Sequence, residues 1–86
     1  MIQESRQLSK TEILEILLAL KREHLRPAKI SIFQVPEIIN EMFYYKIKLV
    51  FVSTELSKTF TMISRTQLND QRVLKQLKHY IEMEYI

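Results

Sequence analysis

Two histidines are the side chains best suited to acid–base or metal chemistry in this chain of 86 residues. His24 lies near the C-terminal end of a predicted helix, where an exposed helix-end residue accounts for it. His79 and Glu82 have the i, i+3 spacing of carboxylate-bridged metal sites, but such sites need further inward carboxylates from other helices. We therefore predict no catalytic residue and no metal site.

Glu37 and Glu41 would lie on one face of a short predicted helix, where two carboxylates could act as general acid and base. A solvated helix face accounts for the pair more simply. The chain has no cysteine and no glycine, which excludes thiolate metal sites and the glycine loops that hold nucleotide phosphates. We expect no enzymatic activity, no cofactor and no small-molecule substrate.

The clearest binding potential belongs to cations on a predicted β-hairpin that spans residues 44–66. Lys46, Lys48 and Arg65 fall on one face of this hairpin, together with Tyr44, because side chains alternate between the two faces of a strand. Basic side chains beside an aromatic ring can bind single-stranded nucleic acid through phosphate contacts and base stacking. Valine and isoleucine side chains share the face, so the alternative is a face that is partly solvated and partly covered by a partner.

The first helix, predicted from Ser9 to Leu25, carries more apolar surface than one packing face uses. It begins with the capping box formed by Ser9 and Glu12. Its apolar residues cover an arc of roughly 200°, whereas a surface helix needs about 100°. This excess favours either a groove between the sheet and a second helix or a subunit interface. The predicted interface residues are Leu14, Leu17, Leu18, Tyr85 and Ile86.

Three further elements complete the expected fold. Residues 29–34 are predicted as a short strand, residues 36–43 as a short helix, and Asn69 to about Tyr85 as a closing helix with Asn69 as N-cap. The fold class is α+β, with a small antiparallel sheet made of the long hairpin and one short strand. The N- and C-terminal helices pack on one face of this sheet, in the order α-β-(α)-β-β-α.

A turn at residues 54–57 sets the expected register of the hairpin. It places Phe51 opposite Phe60 on the apolar face, and Lys46 opposite Arg65 on the other face. Two cations in opposite positions are locally unfavourable, so a bound anion, acidic groups of a partner or water must offset the repulsion.

The chain is expected to form a single domain over residues 9–86, preceded by a flexible tail at residues 1–8. A net charge of +3 and a pI near 9.3 make it mildly basic, and no apolar stretch is long enough to cross a membrane, so we expect a cytoplasmic protein. The first hypothesis is a small non-enzymatic interaction or regulatory module, a homodimer or the partner of another protein. The second is a nucleic-acid-binding accessory protein that uses the cationic hairpin face.

Overall fold

The computed structural model describes residues 5–84, which contain two helices and five strands. In chain order these elements are β1 (Ser5–Arg6), α1 (Lys10–Arg22), β2 (Lys29–Ile39), β3 (Met42–Val52), β4 (Ser57–Ser64), β5 (Gln67–Leu68) and α2 (Asp70–Glu84). An antiparallel sheet has the strand order β2-β3-β4, and β1 pairs with β5 in parallel. The predicted α+β class, with N- and C-terminal helices and an antiparallel sheet, is confirmed.

Both helices begin at the predicted N-cap residues. In α1 the amide of Glu12 donates to Ser9 Oγ at 3.2 Å, and the amide of Ser9 donates to Glu12 Oε1 at 2.8 Å. In α2 the amide of Arg72 donates to Asn69 Oδ1 at 3.1 Å. These side chains satisfy backbone donors that have no partner inside the helix. Neither helix in the described part of the chain is long and apolar enough to cross a membrane.

The first helix ends three residues before the predicted boundary at Leu25. His24 has a left-handed backbone conformation with φ 54°, its amide donates to the carbonyl of Lys21 at 3.0 Å, and the amide of Leu25 donates to the carbonyl of Leu20 at 2.9 Å. This is the hydrogen-bond pattern of a Schellman motif, which usually has glycine at the left-handed position. Because the chain has no glycine, histidine occupies that position here.

The helix predicted for residues 36–43 is wrong. Residues 36–39 complete β2, and Met42 begins β3. Asn40 and Glu41 form the two-residue turn between these strands, and both have positive φ angles, 50° and 64°. Positive φ at both central positions is the signature of a type I′ turn, whose twist matches that of antiparallel strands. The two strands therefore pair along all of their length, from Lys29 with Val52 to Ile39 with Met42.

The predicted register between β3 and β4 is wrong by two residues. Leu49 lies opposite Phe60, and Lys46 lies opposite Ile63 rather than Arg65. The loop is formed by residues 53–56 instead of 54–57, and the amide of Ser53 donates to the carbonyl of Leu56 at 2.8 Å. A shift of two residues keeps each side chain on its predicted face. The inner apolar face is thus as expected, whereas the pairs across the outer face are not.

Both helices pack against the inner face of the sheet, where Ile47, Leu49 and Phe51 of β3 are fully buried. The other buried apolar residues are Leu8, Ile13, Ile16, Leu17, Leu20, Leu25, Leu68, Val73, Leu77 and Ile81.

Polar contacts at both ends of α1 show its direction relative to β4. Glu23, near the end of α1, forms an ion pair of 2.8 Å with Lys58 at the start of β4. Glu12, near the start of α1, is linked through Arg6 to Ser64 at the end of β4. The first helix therefore runs antiparallel to β4.

The segment before α1 belongs to the folded domain. Residues Ser5–Arg6 pair with β5, Leu8 is buried, and its amide and carbonyl both hydrogen-bond to the side chain of Gln76 in α2, at 3.0 and 3.2 Å. A second glutamine, Gln34 in β2, makes the same kind of paired contact with the backbone of Leu68, at 2.9 and 2.7 Å. A flexible tail was predicted for residues 1–8, but residues 5–8 are part of the folded domain. Residues 1–4 lie outside the described part of the chain.

Arg6 joins this segment to the start of α1 and the end of β4. Its guanidinium donates to both carboxylate oxygens of Glu12, at 2.8 and 3.1 Å, and to the hydroxyl of Ser64 at 3.1 Å. The hydrogen bonds from Arg6, aided by those from Ser9, lower the pKa of Glu12 from 4.5 to about 2 although partial burial opposes the shift. The same ion pair raises the pKa of Arg6.

Candidate functional site

The helices cover only the inner face of the sheet, so the opposite face is left to solvent. We call this second face the outer face. Following the strand register, it carries Lys29, Ser31, Phe33, Val35, Glu37 and Ile39 of β2, Met42, Tyr44, Lys46, Lys48, Val50 and Val52 of β3, and Ser57, Thr59, Thr61 and Ile63 of β4. A solvated face of an antiparallel sheet is normally polar. About half of the side chains on the outer face are apolar instead.

The centre of the outer face consists of two cations with apolar neighbours. Lys48 lies between Phe33 of β2 and Thr61 of β4, and in the next row Lys46 lies between Val35 and Ile63. Phe33, Val35 and Ile63 are 56%, 57% and 56% exposed. The two lysine positions are about 7 Å apart, since they are separated by two residues of one strand. Large apolar side chains and cations are therefore interleaved on one accessible surface.

Tyr44 and Arg65, both predicted to belong to this cationic cluster, contact each other. The guanidinium carbon of Arg65 lies 5.2 Å from the centroid of the Tyr44 ring, which is within the range of a cation–π interaction. Tyr44 is half-buried, whereas Arg65 is exposed just beyond the end of β4. The structure thus brings all four predicted residues to one face, but one side of the Tyr44 ring is already occupied.

The outer face carries an excess of positive charge. With Arg65 included, it has four cations, Lys29, Lys46, Lys48 and Arg65, and one acid, Glu37. The other described side chains comprise nine cations and seven acids. A net charge of +3 is therefore concentrated on this one surface.

A shallow groove runs across the middle of the outer face. It has a volume of about 630 Å³ and is lined by Phe33, Val35, Glu37, Lys46, Lys48, Val50 and Thr59. The groove lies along the direction of the strands, because its lining residues come from successive rows of β2 and β3. Its shape suits an extended chain or a strand better than an enclosed small molecule.

Beyond the body of the domain, β2 and β3 continue as a two-stranded ribbon. We call residues 36–45 the arm. The last pair between β3 and β4 joins Tyr45 to Ser64, so β4 accompanies the arm only at its base. Its inner-face residues Ile38 and Phe43 are 75% and 53% exposed, and Met42 on the outer face is 41% exposed. The helices that cover the inner face of the body therefore do not cover the arm.

The predicted protein interface on α1 is only partly available. Leu14 and Leu18 are 47% and 59% exposed and lie one helical turn apart, whereas Leu17 is 3% exposed and belongs to the core. Leu17 was therefore wrongly placed at an interface. Tyr85 and Ile86 lie outside the described residues. The exposed apolar surface of α1 is thus limited to two leucines.

The residues considered for catalysis are scattered over the surface. His24, Glu41, His79 and Glu82 are exposed, and Glu37 is half-buried on β2. The ring of His79 contacts that of Tyr80 edge-on, with 5.5 Å between centroids. Within residues 5–84, no group of three histidine, aspartate or glutamate side chains could hold a metal ion. Glu37 and Glu41 do not share a helix, because one lies on a strand and the other in the turn that follows it.

Sequence reasoning missed Phe33 and the arm. Phe33 had been placed in a strand, but the position of that strand in the sheet was not predicted, so its proximity to Lys48 could not be seen. Comparison with known proteins adds no further guide. No model of a known protein family matches the chain, no curated protein matches it, and no solved structure matches its fold. The function must therefore be argued from the surface of the molecule.

Proposed function

We propose that this protein is a non-enzymatic binding module that docks a protein partner through the outer face of its sheet. The observation that carries the proposal is the exposure of Phe33, Val35 and Ile63, each more than half accessible, around Lys46 and Lys48. Large apolar side chains exposed together on one sheet face often mark an interaction site. The lysines add charge selectivity, because they favour a partner that carries acidic side chains.

The outer face is a better candidate for this role than the first helix. Leu14 and Leu18 form a narrow strip, and the flanking residues Glu15, Lys21 and Arg22 of α1 are exposed and charged. The outer face spans three strands and contains a groove. A protein interface needs a contiguous apolar centre with a polar rim, and this arrangement is more extensive on the sheet than on α1.

Capture from a lysate of the source cells tests the proposal through paired variants. Phe33→Ser with Val35→Thr changes the outer face, and Leu14→Ser with Leu18→Thr makes a matched change on α1. We expect the partner captured by the unaltered protein to be lost with the outer-face variant and kept with the α1 variant. Circular dichroism checks that both variants remain folded. Loss with the α1 variant alone would assign binding to the helix instead.

A second candidate function is binding of single-stranded nucleic acid, which the position of Phe33 beside Lys48 favours. An exposed ring can stack on a base while neighbouring lysines contact phosphates. Phe33 offers a freer ring than Tyr44, which Arg65 already contacts. We expect fluorescence anisotropy to detect oligonucleotide binding at about 50 mM salt, with a salt slope that falls by about one unit in Lys48→Ala. An unchanged slope, or no binding, would exclude this role.

A further inference from the structure

The arm combines apolar side chains with acids and contains no cation. Its ten residues include Glu37 and Glu41, and most of the others are aliphatic or aromatic. Glu41 lies at the tip, in the turn between β2 and β3. A two-stranded ribbon without a third strand or a packed helix is marginally stable in water. The arm is therefore a ribbon that needs a covering surface, and its charge is opposite to that of the outer face of the body.

We infer that the partner on the outer face is a second copy of this chain, whose arm lies along the groove while its own groove receives the first arm. This inference rests on the proposed protein-binding role of that face. The arm supplies apolar side chains and acids, whereas the groove supplies Phe33, Val35, Lys46 and Lys48. Both surfaces belong to one continuous sheet face, so a single two-fold axis brings both pairs together.

The strand register gives the expected contacts between the two copies. A row is a pair of neighbouring outer-face residues on β2 and β3. The two-fold axis runs across the strands between the row of Glu37 and Tyr44 and the row of Val35 and Lys46, which are consecutive rows of the outer face. The row of Glu37 and Tyr44 in one copy then faces the row of Val35 and Lys46 in the second copy, so Glu37 and Tyr44 approach Lys46 of that copy. The row of Ile39 and Met42 at the end of the arm faces the row of Phe33 and Lys48. Packed sheets are about 10 Å apart, which these side chains can bridge.

The area of this contact is sufficient for a weak dimer. The rows from Phe33 to Ile39 span seven residues, or about 23 Å, and the sheet is about 14 Å wide at three strands and about 10 Å wide along the arm. The footprint is roughly 300 Å² on each copy, so with the relief of the side chains the two copies together would bury on the order of 600–800 Å², which is typical of weak contacts. We therefore expect a weak dimer, with a dissociation constant in the high micromolar range.

Charge selects this alignment over the alternatives. A two-fold axis along β3, instead of across the strands, would place Lys46 against Lys46 and Lys48 against Lys48, which is repulsive. A nucleic-acid strand that followed the whole groove would meet Glu37 at one end. The proposed alignment instead places Glu37 and Tyr44 opposite the row of Lys46, and it places Ile39 and Met42, next to the turn that holds Glu41, opposite the row of Lys48.

Sedimentation equilibrium with charge-reversal variants tests the inference. We expect the unaltered protein to dimerise in the high micromolar range, and Lys46→Glu with Lys48→Glu to weaken the dimer at least tenfold. Adding Glu37→Lys and Glu41→Lys to the same chain should restore at least part of this loss. Leu14→Ser with Leu18→Thr on α1 should leave the dissociation constant unchanged. A monomer at about 1 mM, or reversals without effect, would overturn the inference.

Cross-linking between single introduced cysteines tests the alignment itself, and the chain has no cysteine that could interfere. Facing residues of two packed sheets are too far apart for a disulfide, so a mixture of Met42→Cys and Lys48→Cys proteins should be joined by a short bifunctional thiol reagent. A mixture of Leu18→Cys and Lys48→Cys proteins is the control and should not. Equal yields in both mixtures would contradict the alignment. A monomer whose outer-face variant still loses a captured partner would remove the dimer but retain the proposed function. A dimer and a captured partner that are both unaffected by the outer-face variants would remove both.

Discussion

The ion pair between Arg6 and Glu12 predicts a pH-dependent loss of stability that one substitution can isolate. Glu12→Gln removes the carboxylate that accepts both guanidinium hydrogen bonds and the amide hydrogen bond of Ser9. The folded state lowers the pKa of Glu12 from 4.5 to about 2. This carboxylate therefore stabilises the folded state fully above about pH 5. Its contribution falls as the pH decreases from 4.5 toward 2, because the unfolded chain takes up the proton first.

The size of the effect follows from the shift and from the exposure of the pair. The full shift would correspond to about 3 kcal/mol of unfolding free energy. The side chains of Arg6 and Glu12 are 32% and 25% exposed, so solvent screening reduces the expected value to about 1–2 kcal/mol. A neutral glutamine at position 12 can keep part of the capping contact, which also favours the lower part of this range.

Urea unfolding followed by circular dichroism at pH 7 and at pH 2 measures this contribution. We expect Glu12→Gln to be less stable than the unaltered protein by about 1–2 kcal/mol at pH 7 and nearly equal to it at pH 2. Glu15→Gln is the matched control, because it removes an exposed charge from the same helix and should change stability by less than about 0.5 kcal/mol. A difference for Glu12→Gln that is as large at pH 2 as at pH 7 would refute the reasoning.

Three further substitutions test the core, the C-terminal end of α1 and the contact of Gln76 with the backbone of Leu8, each by urea unfolding at pH 7. Leu49→Ala removes a fully buried side chain and should lower the free energy of unfolding by about 3 kcal/mol. Leu18→Ala, at an exposed site, should lower it by less than about 1 kcal/mol. Equal losses of stability would contradict the assigned burial. His24→Gly should stabilise the protein by roughly 0.5–1 kcal/mol, because glycine accepts the left-handed conformation without strain, and destabilisation would argue against that conformation. Gln76→Met leaves the amide and carbonyl of Leu8 without their side-chain partner and should lower the free energy of unfolding by about 2 kcal/mol. An unchanged free energy would show that water replaces the Gln76 side chain.

The features that the sequence predicted correctly are those with a local cause. The capping residues Ser9 and Asn69 act within one helical turn, so their role depends on residues nearby in sequence. The burial of Ile47, Leu49 and Phe51 follows from strict alternation along one strand. For the same reason Lys46 and Lys48 were correctly assigned to the opposite face, whatever the register of the neighbouring strand.

The features that were missed depend on contacts between distant residues. Residues 36–43 have apolar spacing that suits a helix, and the turn at Asn40 and Glu41 lacks the glycine that usually marks a two-residue hairpin. Residues 36–39 form a strand because they pair with residues 42–45 of β3. The register of β4 was shifted because the alternation pattern is unchanged by a step of two residues, and the contacts of Ser53 in the loop select one of the two registers. The position of Phe33 beside Lys48 depends on the first of these outcomes, the pairing of β2 with β3.

The connection between Leu8 and Gln76 has a consequence for the order in which the protein folds. These residues are 68 positions apart, and Arg6 and Ser64 are 58 apart. Contacts between such distant positions form late, since a long loop must close before they contribute any stability. The ribosome produces residues 5–8 before β5 and α2, which contain the partners of their backbone groups. We therefore expect this segment to be fixed only when synthesis of α2 is complete, so that for these residues the order of folding is opposite to the order of synthesis.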